Sequence, residues 1–178
     1  GCNEPCITKC AGDVIFAAMR TQGSEHAGLF SGRYCSVSYD GGMTWSEPEL
    51  LRYDDGTVVH NPAAFANFFT SKVTHKTYFM TNILKEPVYG QTPRYPLHIA
   101  EFDTKSMRVI KDSVQVIQNL PKCAPVERRY TNWSQYEDRV TGELVMHLPE
   151  LPKYKNFSEM DSNNDMQADC LEYRLQLQ

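Results

Sequence analysis

The chain has no apolar run long enough to cross a membrane. The longest, residues 14–19, falls far short of the roughly 20 residues a spanning helix needs. The N-terminal residues lack the basic-then-apolar pattern of a secretory signal, so for an exported protein the signal is expected outside this chain. Positive charge is scarce as well. Eighteen Lys and Arg stand against 22 Asp and Glu, for a net charge of -4 with no dense basic stretch, which argues against a general phosphate-backbone binder and against a nucleic-acid partner. Helical periodicity is missing too, because no segment holds an apolar 3.6-residue repeat for three turns. Disorder and collagen-like repeats are excluded by a 41% hydrophobic, 22% charged composition with a mean hydropathy of -0.50.

Six cysteines are too few for a disulfide scaffold, and their spacing matches no metal-site pattern. His60, His75, His98 and His147 lack ligand-like spacing and read as surface or strand residues. No metal and no cofactor is expected. Cys2, Cys6 and Cys10 are four apart, so on an unbroken strand they share one face with neighbours roughly 13 Å apart, too far to bridge. They read as small buried hydrophobes, with pairing to Cys35, Cys123 or Cys170 as the alternative. The sequons Asn132-Trp133-Ser134 and Asn156-Phe157-Ser158 have a consequence only in a glycosylating host.

What is present is a repeat of short segments rich in β-branched and aromatic residues, each bounded by Gly, Pro, Asp or Asn. The first group is expected at residues 4–10, 13–20, 33–39 and 50–53, and the second at 63–69, 77–84, 96–102 and 114–118. The third is expected at 132–139, 143–149 and 170–177. Second strands begin at 13, 77 and 143 and third strands at 33, 96 and 170, in steps of 63 to 74 residues. Four-stranded antiparallel units at a near-fixed period are the sequence form of propeller blades, so the expected fold is all-β. Its expected units are a blade at 4–60, a blade at 61–120 and an incomplete blade at 128–178.

One turn carries a specific signature. Ser38-Tyr39-Asp40-Gly41-Gly42-Met43-Thr44-Trp45 has the spacing Ser-x-Asp-x-Gly-x-Thr-Trp. Asp and Gly suit its backbone angles and local side-chain bonding, and Trp45 is expected to pack between strands. This spacing is the Asp-box (BNR repeat), and it resembles that of sialidases and other Asp-box propellers. Ser38, Asp40, Gly42, Thr44 and Trp45 are accordingly read as architectural.

On a propeller the Asp-box turns gather on one face. The starts of first strands, ends of second strands and the loops after them gather on the other, where sites form. That second rim is expected to carry Glu4, Arg20, Arg94, Tyr130 and Glu150. The set resembles the C-terminal half of the exo-α-sialidase (neuraminidase) superfamily. Asn3-Glu4-Pro5 is similar to the opening that bears the Glu activating the nucleophile. Arg20, closing Phe16-Ala17-Ala18-Met19-Arg20-Thr21, is similar to the second Arg of the family triad. Arg94, before Tyr95-Pro96-Leu97, is similar to the third. Tyr130, in Tyr130-Thr131-Asn132, resembles the tyrosine nucleophile, and Glu150 the Glu that orients the first Arg. Tyr136 and the Arg128-Arg129 pair compete for the same roles. Residues 85–93, with Pro87, Tyr89 and Pro93, form a loop suited to wall a pocket.

The chemistry accounts for these residue types. A sialic acid carries a carboxylate beside its anomeric carbon, which guanidinium groups bind by charge-assisted bonds, while a neutral tyrosine avoids the repulsion an anionic nucleophile would meet. The resemblance implies a six-bladed sialidase-type propeller of on the order of 380 residues at this repeat, of which about three blades are present. It also implies that the first triad Arg and the Asp acid/base lie in the other half, since no Arg-Ile-Pro element is found here. The implied activity is retaining hydrolysis of a terminal sialic acid or similar acidic sugar through a Tyr/Glu pair, absent from the segment alone. The implied location is secreted or periplasmic. Open edge strands suggest pairing with the missing half or with another copy. The rival reading is a non-catalytic carbohydrate-binding or protein-interaction module that keeps the scaffold.

Overall fold

The computed structural model describes residues 1–122, 127–152 and 169–178. The chain forms three antiparallel sheets, each mostly built from sequence neighbours. The first contains β1 (Cys2–Lys9), β2 (Ile15–Thr21), β3 (Gly32–Ser38) and β4 (Glu49–Leu50) in that order. The second contains β5 (Ala66–Thr70), β6 (Thr77–Asn82) and β7 (Leu97–Asp103), and its outer position is shared by β8 (Arg108–Val109) and β9 (Gln115–Gln118). The third has β10 (Arg128–Tyr130) and β11 (Ser134–Glu137) along one edge of β12 (Leu144–Pro152), with β13 (Asp169–Leu175) on the other. Among the described residues the sole helical piece is a 3-10 turn at Lys111–Ser113.

The second sheet is the core of the molecule, because it is covered on both sides. All six residues of β6 are buried. Alternation sends Phe79 toward the first sheet, into a cluster with Phe16, Phe68 and Phe102. Tyr78 and Met80 point the other way, against Leu144, Met146 and Leu148 of β12. Ring centroids of Phe68 lie 4.8 Å from Phe79 and 4.9 Å from Phe102, within the range where aromatic pairs attract beyond simple burial. The far side of the third sheet is polar. Tyr136, His147, Glu172 and Arg174 lie there in register, joined by a 2.9 Å Arg174–Glu172 pair and a 3.3 Å His147–Glu172 contact.

Two strands depart from expectation. The fourth strand of the second sheet forms as expected, as β9, but a further short strand, β8, precedes it on β7, separated from it by the 3-10 turn. The first strand of the third sheet starts at Arg128 rather than Asn132, and Tyr130 therefore lies within a strand instead of ahead of one. Asn132, at φ 58°, breaks β10 from β11. The cysteine reading needs correction as well. Cys6 and Cys10 are buried, but Cys2 is exposed because a bulge between Asn3 and Cys6 inserts one extra residue and flips the face. The thiols of Cys2, Cys6, Cys10, Cys35 and Cys170 are all free, while Cys123 and the Asn156-Phe157-Ser158 sequon lie outside the described residues.

The turn at residues 38–45 is closed by its own side chains. Asp40 accepts from the backbone N–H groups of Met43 (3.0 Å) and Thr44 (2.9 Å) and from the Thr44 hydroxyl (2.7 Å). The Ser38 hydroxyl donates to Asp40 (2.8 Å) and accepts from Gly42 N–H (2.7 Å). Gly41 and Gly42 hold φ of 71° and 99°, which other residues rarely adopt. Trp45 is half-exposed rather than packed between strands, and its indole N–H closes the turn on the Gly42 carbonyl at 3.1 Å.

Two outcomes follow from this packing. Phe79→Ala, at a position with no exposed surface, is expected to cost about 3–5 kcal/mol in urea unfolding, since the cavity opens between two sheets. The bonds from Thr44 and Ser38 hold the Asp40 carboxyl down at about 2. A depressed carboxylate stabilises the fold above its unfolded value near about 4 and loses that contribution as pH falls through its folded value. Asp40→Asn should therefore lower the melting temperature at neutral pH and flatten its decline between about pH 4 and about pH 2. Parallel melting curves for both proteins over that window would contradict this role.

Candidate functional site

The ends of β2, β6 and β12 and the starts of β3 and β7 all lie opposite the turn at residues 38–45. In the first sheet the register shows this directly, since Ser38 pairs with Ile15 at one end and Arg33 with Arg20 at the other. The bonds of Arg33 to Ala64, of Tyr130 to Arg94 and of Asn82 to Tyr130 tie the other two sheets to the same end. Glu4 reaches this rim through the bulge. The extra residue in β1 sets Glu4 at φ 44°, a conformation costing a non-glycine residue about 1–3 kcal/mol, and frees its side chain to turn toward β2. There its carboxylate pairs with Arg20 at 2.9 Å, and the Arg20 Nε donates to Asn3 at 3.3 Å. The Arg20 side chain is 17% exposed and that of Glu4 55%. The pair is therefore wet on one side and worth little as a stabilising contact.

Arg94 arrives from the neighbouring sheet on the segment before β7. Its guanidinium donates to the Gln91 carbonyl at 3.1 Å, the Gln91 side-chain oxygen at 3.0 Å and the Ala63 carbonyl at 3.5 Å. Burial first, then the charges of Arg129 and Arg20, pull Arg94 below the usual arginine value, while Glu4 opposes them. These four groups therefore share one local field. The loop at residues 85–93 walls this rim by folding onto the first sheet. Gly90 N–H donates to the Gln22 carbonyl at 3.2 Å, the Ser31 hydroxyl donates to the Gly90 carbonyl at 2.9 Å, and Tyr89 stacks on Phe30 at 4.6 Å.

Tyr130 is tied to the same loop by its backbone, its N–H donating to the Arg94 carbonyl at 3.0 Å. Its carbonyl accepts from the Asn82 side-chain amide at 3.2 Å, and Asn82 also donates to Pro96. The Asn82 carbonyl in turn accepts from the side-chain amide of Asn61 at 2.8 Å. The phenol does not meet Glu4. It donates to Glu150 at 3.0 Å, because Tyr130 and Glu150 stand opposite each other in the β10–β12 ladder, whereas Glu4 is taken by Arg20. Tyr130 has no exposed surface, and burial together with the Glu150 carboxylate pushes its hydroxyl far above the ordinary phenol value.

Glu4, Arg20 and Arg94 thus come together, and Tyr130 with Glu150 forms a second, adjacent pair. Sequence reasoning missed Arg33, which lies directly across from Arg20 with 1% exposure, and the buried amides Asn61 and Asn82. The register of the second and third strands could have exposed Arg33; nothing in the local sequence singles out the two asparagines. Among the described residues no three His, Cys, Asp or Glu side chains converge as a metal site. A cleft of about 970 Å³ lies at the opposite end, between Phe69, Val73, Tyr136 and Val140; it includes the competing Tyr136 but none of Glu4, Arg20, Arg94, Tyr130 and Glu150.

No family model matches the chain, and no curated protein matches it. Solved structures do. A Trypanosoma rangeli sialidase in complex with the inhibitor DANA aligns over 98% of this chain and 23% of its own, at 15% identity and a TM-score of 0.56. A GH43_12 retrieved from a capybara gut metagenome aligns over 84% of this chain and 26% of its own, at 19% identity and a TM-score of 0.51. The chain has an all-β fold of the β-propeller type. It spans about a quarter of the length of these propeller structures. At such identities the likeness speaks for the fold alone, and the residues on the rim must carry any further argument.

The asparagine relay is testable without a ligand. Asn82→Ala leaves the buried Tyr130 carbonyl and the part-buried Pro96 carbonyl without this donor. It is expected to cost about 2–4 kcal/mol in denaturant unfolding, against a negligible effect for a change at exposed Asn119.

Proposed function

We propose that this chain supplies the acidic-sugar-binding rim of a sialidase-like glycoside hydrolase that removes a terminal sialic acid or a similar acidic sugar with retention. The observation that carries this reading is the charge balance of the rim: Arg20, paired with Glu4 at 2.9 Å, stands opposite buried Arg33, and Arg94 on the adjoining segment and Arg129 share the field of that carboxylate. Such a cluster favours an anion, and guanidinium forks favour a planar carboxylate. A neutral-glycan lectin would need stacking aromatics and amides at the same place. Within this reading the three sheets act as blades over 4–60, 61–120 and 128–178, and the 38–45 turn acts as an Asp-box. The open edges at β1 and β13 are closed by the remainder of a ring or by another copy.

The hydrogen bond to Glu150 refines the assignment of roles. In a retaining step the Tyr130 oxygen attacks the anomeric carbon, its proton passes to the Glu150 carboxylate, and the bond to the leaving oxygen breaks. Glu4 then holds Arg20 in place instead of acting as base. The acid that protonates the leaving oxygen, and a further carboxylate-binding Arg, are assigned to the part of the ring beyond this chain. A second reading, a non-catalytic carbohydrate-binding or interaction module, is favoured by the complete burial of Tyr130, since a nucleophile must meet its substrate.

Titration with N-acetylneuraminic acid and with its methyl ester tests the binding claim. The acid should bind at least about tenfold more tightly, the scale of a lost charge-assisted bond, and equal affinities would refute it. An aryl sialoside should turn over slowly or not at all, and any turnover should vanish in Tyr130→Phe, because general acid catalysis worth about 10² to 10⁴-fold is missing. Natural sialosides cleaved at ordinary rates, with Tyr130→Phe unaffected, would overturn both the half-site and the nucleophile assignments. Supplying the remaining half should restore turnover to a hydrolase and give none to a binding module.

A further inference from the structure

Arg20 and Arg33 stand directly opposite each other in the β2–β3 ladder, where like charges repel. Both belong to the face turned toward the second sheet, the face of Phe16, Ala18 and Cys35. Arg33 is the deeper of the two, with 1% exposure. Its Nη2 donates to the Ala64 carbonyl, and its Nε is buried without a partner. The neighbouring thiols offer no compensation: burial pushes Cys6 up to about 11 and Cys35 higher still, so both stay neutral. Glu4, the carboxylate that favours the Arg33 charge, is ion-paired to Arg20. A buried cation in this position is costly unless something balances it.

We propose that Arg33 is a positioning residue for an anion on this rim: anchored on the lead-in to β5, its buried charge supplies the field that draws a small carboxylate to Arg20 and Arg94. Arg33 does not touch the anion. It holds the Ala64 carbonyl while Arg94 holds that of Ala63, so the two guanidiniums grip adjacent peptides and fix the spacing between the first and second sheets. The inference rests on the reading that the rim takes acidic ligands, and it extends that reading from sugars to any small carboxylate.

The test compares acetate, N-acetylneuraminic acid and the methyl ester of the latter as probes in a chloride-free buffer, with affinities read by NMR titration of the full chain. Arg33→Met should weaken both anions by about tenfold or more, the effect of removing one charge at several ångströms in a partly shielded site. It should leave the ester unchanged. Arg33→Lys keeps the charge and should hold both anions within about threefold. A merely structural Arg33 would lower the melting temperature in both variants without moving the acid-to-ester ratio, and an unmoved ratio in Arg33→Met overturns the proposal. So does a wild-type chain that binds neither acetate nor N-acetylneuraminic acid. If Arg33→Met fails to fold, Arg33→Gln takes its place, since it keeps a donor for the Ala64 carbonyl while removing the charge: a fall of about tenfold in its acid-to-ester ratio upholds the proposal and an unmoved ratio overturns it. Acetate binding that depends on Arg33, with N-acetylneuraminic acid no tighter than acetate, would uphold Arg33 and refute the sugar.

Discussion

The rim depends on one short connection, residues 61–64, which carries the chain from the first sheet into the second. Four of its polar groups join elements that sequence keeps far apart. Ala63 N–H donates to the Gly90 carbonyl at 2.8 Å, its carbonyl takes Arg94, the next carbonyl takes Arg33, and Asn61 reaches Asn82. Through Asn82 the same network reaches Tyr130 on the third sheet. Buried backbone groups must find partners, and here the partners are charged or amide side chains in place of a ladder strand. The connection therefore sets where three sheets meet and, in the same stroke, where two arginines point.

The packing beneath it explains why such a junction can be held still. With phenylalanines on one side and Tyr78, Met80, Leu97 and Ile99 on the other, the second sheet is fixed from both faces, and its ends inherit that rigidity. The outer sheets differ from it and from each other. The first presents Ile7, Met19 and Tyr34 outward, at least partly exposed, whereas the third presents a charged lattice of His147, Glu172 and Arg174. The rim residues at its ends are thus positioned by the most constrained element, and the loop at residues 85–93 adds a layer of hydrogen bonds on top.

Much of this was legible in the chain itself. Period-two alternation with Gly and Asp punctuation located nearly every strand, and the spacing from Ser38 to Trp45 announced a self-bonded turn before any coordinate was known. The rim placement of Arg20 and Arg94 followed from strand ends together with the propeller reading. What escaped was set by contacts between distant segments. The bulge that exposes Cys2 and twists Glu4 toward Arg20 needs the register of β1 on β2, which pattern cannot supply. The pairing of Tyr130 with Glu150 in preference to Glu4 needs the ladder of β10 on β12, and the short β10 carries too few residues to show a period. Buried Arg33 contradicts the rule that arginine lies outside, so composition hides it.

The separation of the two carboxylates is the feature that gives the rim its chemical direction. Glu4 lies among guanidiniums, where its charge is consumed in holding Arg20, and Glu150 lies at a phenol, where it accepts the hydrogen bond of Tyr130. Had both acids faced the arginine cluster, the positive field would have been cancelled and an anionic ligand would find no net attraction. Had both faced Tyr130, they would repel each other, and burial would force one to keep its proton. Dividing them leaves an electropositive surface beside a neutral phenol with an acceptor already bonded to it. That arrangement follows from two register facts, a one-residue bulge in β1 and the Tyr130–Glu150 cross-strand pair, and each can be altered by a single substitution without touching the other.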